Sequence, residues 1–228
     1  MTFIDDLGIK LSQKLLRRDK FTIISNDCWG AEVYRHFGLA YQTPFVGLFF
    51  MAPCYIKLLK DLKSFLHTQD LVFISTSKYE ACNQDRAEKG KYYPIGVLNG
   101  EVEIHFLHYH SEEEARDTWT KRCTRVNWER LFVKLDAGKD ACTPDLVREY
   151  DALPYTQKII LSPTPLTMPL ANTSVFVMSD WIIDGAKMYR RCLAQFDICN
   201  WLSNDSTQKR WWWGTFYTLF IKNSKRFL

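Results

Sequence analysis

The 228-residue chain is long enough for one large domain or two small ones, and 46% hydrophobic residues can bury a large core without disulfides or metals. Its 30 basic and 26 acidic residues give a formal net charge of +4 that is spread along the chain, which excludes nucleic acid as an expected partner. The seven cysteines are odd in number and form no Cys-x-x-Cys pair, so neither a disulfide framework nor a zinc ribbon is expected. We therefore expect a single α/β domain over residues 1–228, located in the cytoplasm.

The start of the chain, residues 1–20, has the pattern of an amphipathic helix with charged side chains, and it lacks the apolar stretch of a signal peptide. Two later uncharged segments, 37–56 and 159–179, reach membrane-spanning length. Both contain prolines that would interrupt an apolar helix. We expect both to be buried structure of a globular protein.

Short apolar runs alternate with helical patterns through the first three quarters of the chain. The predicted strands are Phe21–Ile24, Val46–Phe50, Leu71–Ile74, Val102–Tyr109, Leu131–Leu135, Lys158–Leu161 and Val175–Met178. The predicted helices are Trp29–Phe37, Pro53–Leu66, Glu112–Arg125 and Pro144–Tyr150. This alternation predicts a three-layer α/β/α sandwich with a mixed, mostly parallel sheet.

Helix-end signals agree with this assignment. Ser111 precedes three glutamates, and Thr143 precedes Pro144, so both are predicted N-caps. Gly38 is expected to end the helix that begins at Trp29.

The last quarter, residues 180–228, is predicted to be a helical, aromatic-rich C-terminal extension, with a helix over Asp180–Trp201. Trp211–Trp213 follow two basic residues, and a basic tail comes after them. These aromatics would complete the core, which is where large apolar side chains usually lie. Alternatively, they would contact a sugar, the inner face of the membrane or a partner such as a glycosyltransferase.

Cys28 lies where a buried strand is predicted to pass into a helix. At a helix N-terminus, unpaired amides and the helix dipole lower a thiol pKa, which would make Cys28 a candidate nucleophile. The alternative is a buried core thiol, with Asp27 serving as the helix N-cap.

Three histidines fall in the segment Val102–His110. On an alternating strand, His108 and His110 share one face and His105 lies on the other. His108 is the preferred general base or thiol partner, because the carboxyl ends of strands are where open α/β sheets bind ligands. Glu112 is close enough in sequence to orient it. A metal site on these histidines is a weaker alternative, and no metal or cofactor is expected.

Arg122 and Arg125 are three residues apart, so a helix places them on one face, where they can bind a phosphate or carboxylate. Asn127 follows at the predicted end of that helix and adds a polar amide. Such a set suits a sugar phosphate or nucleotide, although the chain contains no Gly-rich phosphate loop. Solvated surface arginines are the ordinary alternative.

Several motifs together resemble an uncharacterised bacterial family. The segments are "NDCWGAEVYRHFGL", "TPFVGLFFMAPCYI", "YYPIGVL", "EIHFLHYHSEEEARDTWTKRCTRVN" and "LPY". It is a family of unknown function that is often labelled exopolysaccharide biosynthesis protein. The family pattern falls on Asn26, Cys28, Trp29, Gly30, Tyr34, Pro44, Phe45, Gly47, Pro94, Gly96, His105, His108, Tyr109, Glu113, Trp119, Arg122, Arg125 and Asn127. Ala31 stands where the pattern usually has glycine.

The chain also resembles, more faintly, an uncharacterised family labelled putative papain-like cysteine peptidases. The residues that carry this likeness are Cys28, Arg35, Gly38-Leu39 and Pro44-Phe45. That likeness raises the weight of Cys28 as a nucleophile paired with a histidine.

The combined hypothesis is a transferase in capsular or exopolysaccharide assembly that takes a glycosyl or other substituent from an activated sugar or sugar phosphate. In it, His108 acts as base, Trp29 stacks on a sugar or base, and Asn26 and the Arg122–Asn127 helix end complete the substrate site. The alternatives are a Cys28–His108 thiol hydrolase or acyltransferase, and a non-catalytic partner of an assembly complex at the inner membrane face.

Overall fold

The structure, a computed structural model, describes residue 16 and the ranges 20–68 and 70–204. The strands are β1 (Thr22–Ser25), β2 (Leu71–Ile74), β3 (Ile95–Leu98), β4 (Val102–His105), β5 (Leu131–Asp136), β6 (Gln157–Ser162) and β7 (Ser174–Val177). The helices are α1 (Trp29–Phe37), α2 (Ala52–Lys60), α3 (Leu62–His67), α4 (Glu80–Lys89), α5 (Glu112–Cys123), α6 (Pro144–Ala152), α7 (Gly185–Cys192) and α8 (Ile198–Asn204). The predictions for Trp211–Trp213 and for nearly all of 1–20 lie outside the described residues.

Four of the strands form a parallel sheet in the order β1-β5-β6-β7. Thr22 is in register with Leu131, and Phe132 with Gln157. Because every pair is parallel, the carboxyl ends of all four strands meet at one edge. The predicted α/β class with mainly parallel strands is confirmed.

Both faces of this parallel sheet are buried, as expected for a sheet between two helical layers. Ile23, Phe132 and Ile159 point into a core that includes residues of α1, α7 and α8. Their neighbours Ile24, Val133 and Ile160 point into the other core, which includes residues of α2, α6 and strands β2 to β4. The alternation of apolar side chains along each strand therefore builds two cores.

Strands β2, β3 and β4 form a separate antiparallel sheet, which the chain completes between β1 and β5. The sequence pattern missed β3 and the helix α4. Gly96 weakens the apolar signal of β3, yet a Cβ at this position would lie 2.6 Å from Leu71 Cδ1, so only glycine fits without displacing Leu71. Helix α4 buries only Cys82, which leaves almost no apolar periodicity to read.

Four predicted elements are corrected. The strand predicted over Val102–Tyr109 ends at His105, and the chain then turns. Val46–Phe50 contains only an isolated bridge from Phe49 to His105, since Gly47 adopts a φ of 74°. Pro53–Leu66 divides at Asp61, where the side chain caps α3. Asp180–Trp201 divides into α7 and α8.

The predicted helix ends are confirmed. The hydroxyl of Ser111 accepts a hydrogen bond from the amide of Glu114, and that of Thr143 accepts one from Leu146. Gly38 ends α1 in the left-handed conformation. No helix in the described ranges is long and apolar enough to span a bilayer.

The edge strand β1 is fastened by a buried tyrosine. The Tyr34 hydroxyl accepts a hydrogen bond from the Ile23 amide at 3.0 Å and donates one to the Phe21 carbonyl at 3.1 Å. Its ring stacks on Phe21 at a centroid distance of 5.5 Å. A single hydroxyl thus pairs backbone groups on the side of β1 that faces away from β5.

We expect Tyr34→Phe to lower the free energy of unfolding by about 1–3 kcal/mol, because it leaves a buried amide and carbonyl unpaired while keeping the ring. Urea denaturation of the variant and of the exposed-site control Tyr92→Phe measures this. Equal stability of the two variants would contradict the assignment.

Candidate functional site

The carboxyl edge of the parallel sheet gathers a cluster of buried charges. Asp27 follows β1, Lys134 and Asp136 belong to β5, and Lys139 and Asp140 follow β5. We call these five residues the Asp27 cluster. Parallel pairing brings residues more than 100 positions apart in the sequence to the same edge. In doubly wound sheets this edge is where ligands bind.

Asp27 is the centre of the cluster. Lys134 Nζ lies 2.9 Å from both carboxylate oxygens of Asp27, and Lys139 Nζ lies 2.8 Å from Oδ2. Oδ1 also accepts a hydrogen bond from the Trp29 amide at the start of α1. Gly185 lets the start of α7 pack directly against Asp27, since a Cβ at position 185 would be only 2.8 Å from Asp27 Cγ.

Burial and the neighbouring charges of the cluster set the protonation states of Asp27 and Lys139. Burial alone would favour a neutral Asp27, but Lys134 and Lys139 lower its pKa well below the ordinary value. Burial likewise opposes the charge of Lys139, yet Asp27 and Asp140 raise the pKa of Lys139 above the ordinary value. Asp27 and Lys139 are therefore both charged at neutral pH.

Asp136 joins the two strand ends. Its amide donates a hydrogen bond to Asn26 Oδ1 at 2.9 Å, and its Oδ1 accepts from the Gly138 amide and from Trp181 Nε1, each at 3.0 Å. Asn26, a predicted substrate ligand, is fully buried and serves this link.

Asp140 is the unusual member of the cluster. It and Ala141 both adopt a φ of 57°, a strained conformation for non-glycine residues. Its Oδ2 is buried without a hydrogen bond and lies 4.0 Å from Lys139 Nζ. Burial, together with the charges of Asp27 and Asp136, raises its pKa to about 7 even though Lys139 acts in the opposite direction.

Cys28 is half-buried at the N-cap position of α1, where the sequence placed it. The expected lowering of its pKa is wrong. Burial and the negative charges of Asp27, Asp184 and Glu32 raise the pKa of Cys28 to about 12, and Lys139 only partly offsets them. Burial, with the acidic neighbours added, keeps the thiol protonated at neutral pH despite its place at the start of a helix.

His108 is exposed just beyond β4, and its amide donates to the Gly47 carbonyl at 2.9 Å. Partial burial of the ring and the positive charges of Lys91 and Arg35 lower the pKa of His108 below its ordinary value, whereas Asp184 raises it. The neutral imidazole therefore predominates at pH 7. We call His108, Lys91, Arg35 and Asp184 the His108 patch.

The negative charge of Asp184 raises the pKa of both Cys28 and His108, so both residues lie within electrostatic range of Asp184. Tyr109, which follows His108, is within electrostatic range of Cys28. Across the described part of the chain, neither the Cys28 thiol nor the His108 ring makes a hydrogen bond. The two side chains therefore lack the hydrogen bond that a Cys–His pair uses, and the predicted convergence of the Asn26–Trp29, His108–Glu112 and Arg122–Asn127 segments stays a prediction.

The predicted stacking role of Trp29 does not fit the structure. Its side chain is 0% exposed and packs edge-on against Tyr189 at a centroid distance of 5.5 Å. A ring enclosed in the core has no free face for a sugar or a base. Trp29 holds α1 against α7.

Arg122, Arg125 and Asn127 are occupied by contacts within the protein. Arg122 donates to the Tyr109 hydroxyl at 2.8 Å and lies over the ring of Tyr41. Arg125 donates to the Tyr41 carbonyl, and Asn127 Nδ2 donates to the Lys20 carbonyl. These three predicted ligands join α5 to neighbouring loops.

Neither Glu112 nor His105 forms a hydrogen bond with the His108 ring in the described part of the chain. Glu112 is exposed at the first position of α5. His105 is fully buried, with Nε2 2.8 Å from Glu103 Oε1 and its ring stacked on Phe49. Within the described residues, no group of three or more histidines, cysteines or acids is placed to hold a metal ion.

The Asp27 cluster was missed from the sequence, although a signal was present. Lys134 interrupts the apolar run Leu131–Leu135, and a lysine inside a buried strand needs a charged partner. The acids Asp136 and Asp140 follow directly. The partner itself, Asp27, could be found only with the strand order in hand.

The fold defines an α/β protein whose parallel sheet carries a buried charge cluster at its carboxyl edge. The chain belongs to the family described as Domain of unknown function (DUF1919), whose profile matches residues 2–203. It is also similar to an uncharacterized protein of Haemophilus influenzae, with 29% identity over 206 residues. That match covers 84% of this chain and 88% of the relative.

We expect Asp27→Asn to lower the free energy of unfolding at pH 7 by about 3–5 kcal/mol, because it leaves buried lysine charges unpaired. The contribution of Asp27 is complete above its unfolded-state pKa of about 4 and is lost as the pH falls toward its lower folded pKa. Denaturation at pH 7 and pH 3 measures the free energy of unfolding of wild type and of Asp27→Asn. The difference between the two proteins should be smaller at pH 3 than at pH 7. An equal difference at both pH values would contradict the pairing of Asp27 with Lys134 and Lys139.

Asp140→Asn should raise the free energy of unfolding, whereas Asp27→Asn lowers it. Its raised pKa of about 7 means that the folded state retains a proton that the unfolded state releases above about pH 4. Stability is therefore lost as the pH rises through this window. The amide, which tolerates the left-handed backbone, should stabilise the protein at pH 8 by on the order of 2–4 kcal/mol and change little at pH 4.

Thermal or urea unfolding at both pH values measures this effect, with the exposed Asp117→Asn as control. If Asp140→Asn and Asp117→Asn behave alike at pH 8, the Asp140 carboxyl is not desolvated.

Proposed function

We propose that the protein transfers a glycosyl or other substituent group from an activated, phosphate-bearing donor during surface-polysaccharide assembly in the cytoplasm. The resemblance to a family labelled exopolysaccharide biosynthesis protein supports the process. The observation that carries the proposal is His108, an exposed and neutral imidazole next to the carboxyl edge of a parallel sheet.

In a glycosyl transfer, an acceptor hydroxyl would attack the anomeric carbon of the donor. The hydroxyl proton would pass to the His108 imidazole, and the bond to the donor phosphate would break with its electron pair leaving on the phosphate oxygen. A neutral imidazole is the form that can take this proton. The lowered pKa of His108 keeps that form abundant at pH 7.

Arg35 and Lys91 replace Arg122 and Arg125 as the proposed phosphate ligands. Both positive charges lower the pKa of His108, and both side chains are exposed, whereas Arg122 and Arg125 are partly buried. Arg35 forms an ion pair with Glu32 at 2.6 Å, which a donor phosphate would have to replace. Arg122 and Arg125 already donate to protein oxygens. Two exposed cations within electrostatic range of the base suit an anionic leaving group.

A thiol hydrolase or acyltransferase of the kind implied by the papain-like resemblance is the weaker proposal. The raised pKa of Cys28 and the missing hydrogen bond to His108 leave the thiol without activation. A docking role at the inner membrane face, or on a glycosyltransferase, depends on Trp211–Trp213, outside the described ranges. It stays a prediction.

Transfer should be assayed with a panel of nucleotide sugars and polyprenyl-diphosphate-linked sugars. We expect His108→Ala to lower kcat by about 100- to 10,000-fold, and the neighbouring exposed His110→Ala to retain wild-type rates. The wild-type rate should rise with pH as His108 loses its proton and level off below neutrality.

Three outcomes would contradict the proposal: full activity in His108→Ala, loss of activity in Cys28→Ser with His108 intact, or no transfer by the wild type. The second would favour the thiol route, and the third would favour the docking role.

A further inference from the structure

Tyr92 exposes a large aromatic ring on the connection between α4 and β3. Its side chain is 67% exposed, although large aromatic side chains are usually buried to a much greater extent. The neighbouring Tyr93 shows the ordinary behaviour, being buried against Phe49 and His105. Tyr92 is therefore the exposed member of this pair of tyrosines.

The chain brings Tyr92 to the same end of the antiparallel sheet as His108. Ile95 pairs with His105, and the Phe106 amide donates to the Pro94 carbonyl at 2.9 Å. Lys91 and Tyr92 precede Pro94 on the connection from α4, and His108 follows Phe106 in the turn after β4. The effect of Lys91 on the pKa of His108 agrees with this placement.

The Tyr92 ring packs against the side chain of Arg86, which is itself held by hydrogen bonds. Arg86 donates to the Ser75 carbonyl at 3.0 Å and to the Tyr93 carbonyl at 3.3 Å. Its guanidinium carbon lies 5.9 Å from the centroid of the Tyr92 ring and 5.0 Å from that of Tyr93. A cation anchored to two carbonyls thus orients an exposed ring, which reduces the entropy lost on stacking.

We infer that Tyr92 stacks on the base of a nucleoside diphosphate whose phosphates lie against Lys91. The inference rests on the proposed transfer and names the class of its donor. An exposed ring beside cations matches a molecule that carries both a flat π face and phosphates. A lipid-linked diphosphate has the phosphates but no base, so it would leave Tyr92 unused.

This orientation also gives the donor a direction. With the base on Tyr92 and the diphosphate along Lys91, the group attached to the distal phosphate would point toward His108 and Arg35. The bond that breaks would then lie beside the proposed base.

Isothermal titration calorimetry with UDP, GDP, CDP, ADP and inorganic pyrophosphate tests the inference on the full chain. At least one nucleoside diphosphate should bind the wild type. Tyr92→Ala should weaken its binding by roughly 5- to 150-fold, the value of one base–aromatic stack. Tyr92→Phe should bind within about twofold of wild type because the ring remains.

Pyrophosphate binding should be unchanged in Tyr92→Ala and weakened in Lys91→Ala. Val72→Ala, at a 55%-exposed apolar residue of β2, is the matched control and should bind like wild type. The inference is overturned if no nucleoside diphosphate binds, if Tyr92→Ala binds as wild type does, or if it loses pyrophosphate equally.

Failure of this inference can be told from failure of the proposed function. Transfer from lipid-linked donors alone would keep the transferase and overturn the role of Tyr92. Nucleotide binding that depends on Tyr92, without transfer from any donor, would uphold the stacking site and overturn the transferase.

Discussion

The buried pairing of Asp27 with Lys134 is the constraint on which the carboxyl edge of the sheet depends. A lysine that is 0% exposed in the middle of β5 is tolerated because a carboxylate after β1 meets it. That carboxylate also receives Lys139 and the first amide of α1. One charge therefore fixes how β1, β5, α1 and the loop after β5 meet.

The buried cluster and the exposed patch have different roles. Asp27 and its lysines satisfy one another, and they support the edge from within. His108, Lys91 and Arg35 are accessible and are held by a second sheet and by the end of α1. Asp184, the N-cap of α7, connects the two through its charge on both Cys28 and His108. The buried charges thus hold the sheet edge together, whereas the patch is open to solvent.

Sequence patterns within short segments predicted the strands and helix ends, because these depend mainly on residues close together in the sequence. The apolar strands β1, β2, β5, β6 and β7 and the caps Ser111, Thr143 and Gly38 were all recognisable. Helix α4 was not, because it has almost no buried face. For the candidate site, the sequence placed Cys28 at the start of α1, but the pKa of Cys28 and the enclosure of Trp29 depend on neighbours distant in sequence. Those neighbours follow only from strand order.

The insertion of an entire antiparallel sheet between β1 and β5 has a consequence for the order of folding. During synthesis β1 emerges early, but Lys134, the partner of Asp27, follows 107 residues later. Loop closure over such a distance is slow, and a parallel pair has no short hairpin to speed it. The antiparallel sheet can form from neighbouring segments while the ribosome is still translating, whereas the edge strand and its unpaired carboxylate must wait. Chaperone demand should therefore be greatest before residue 134 is released.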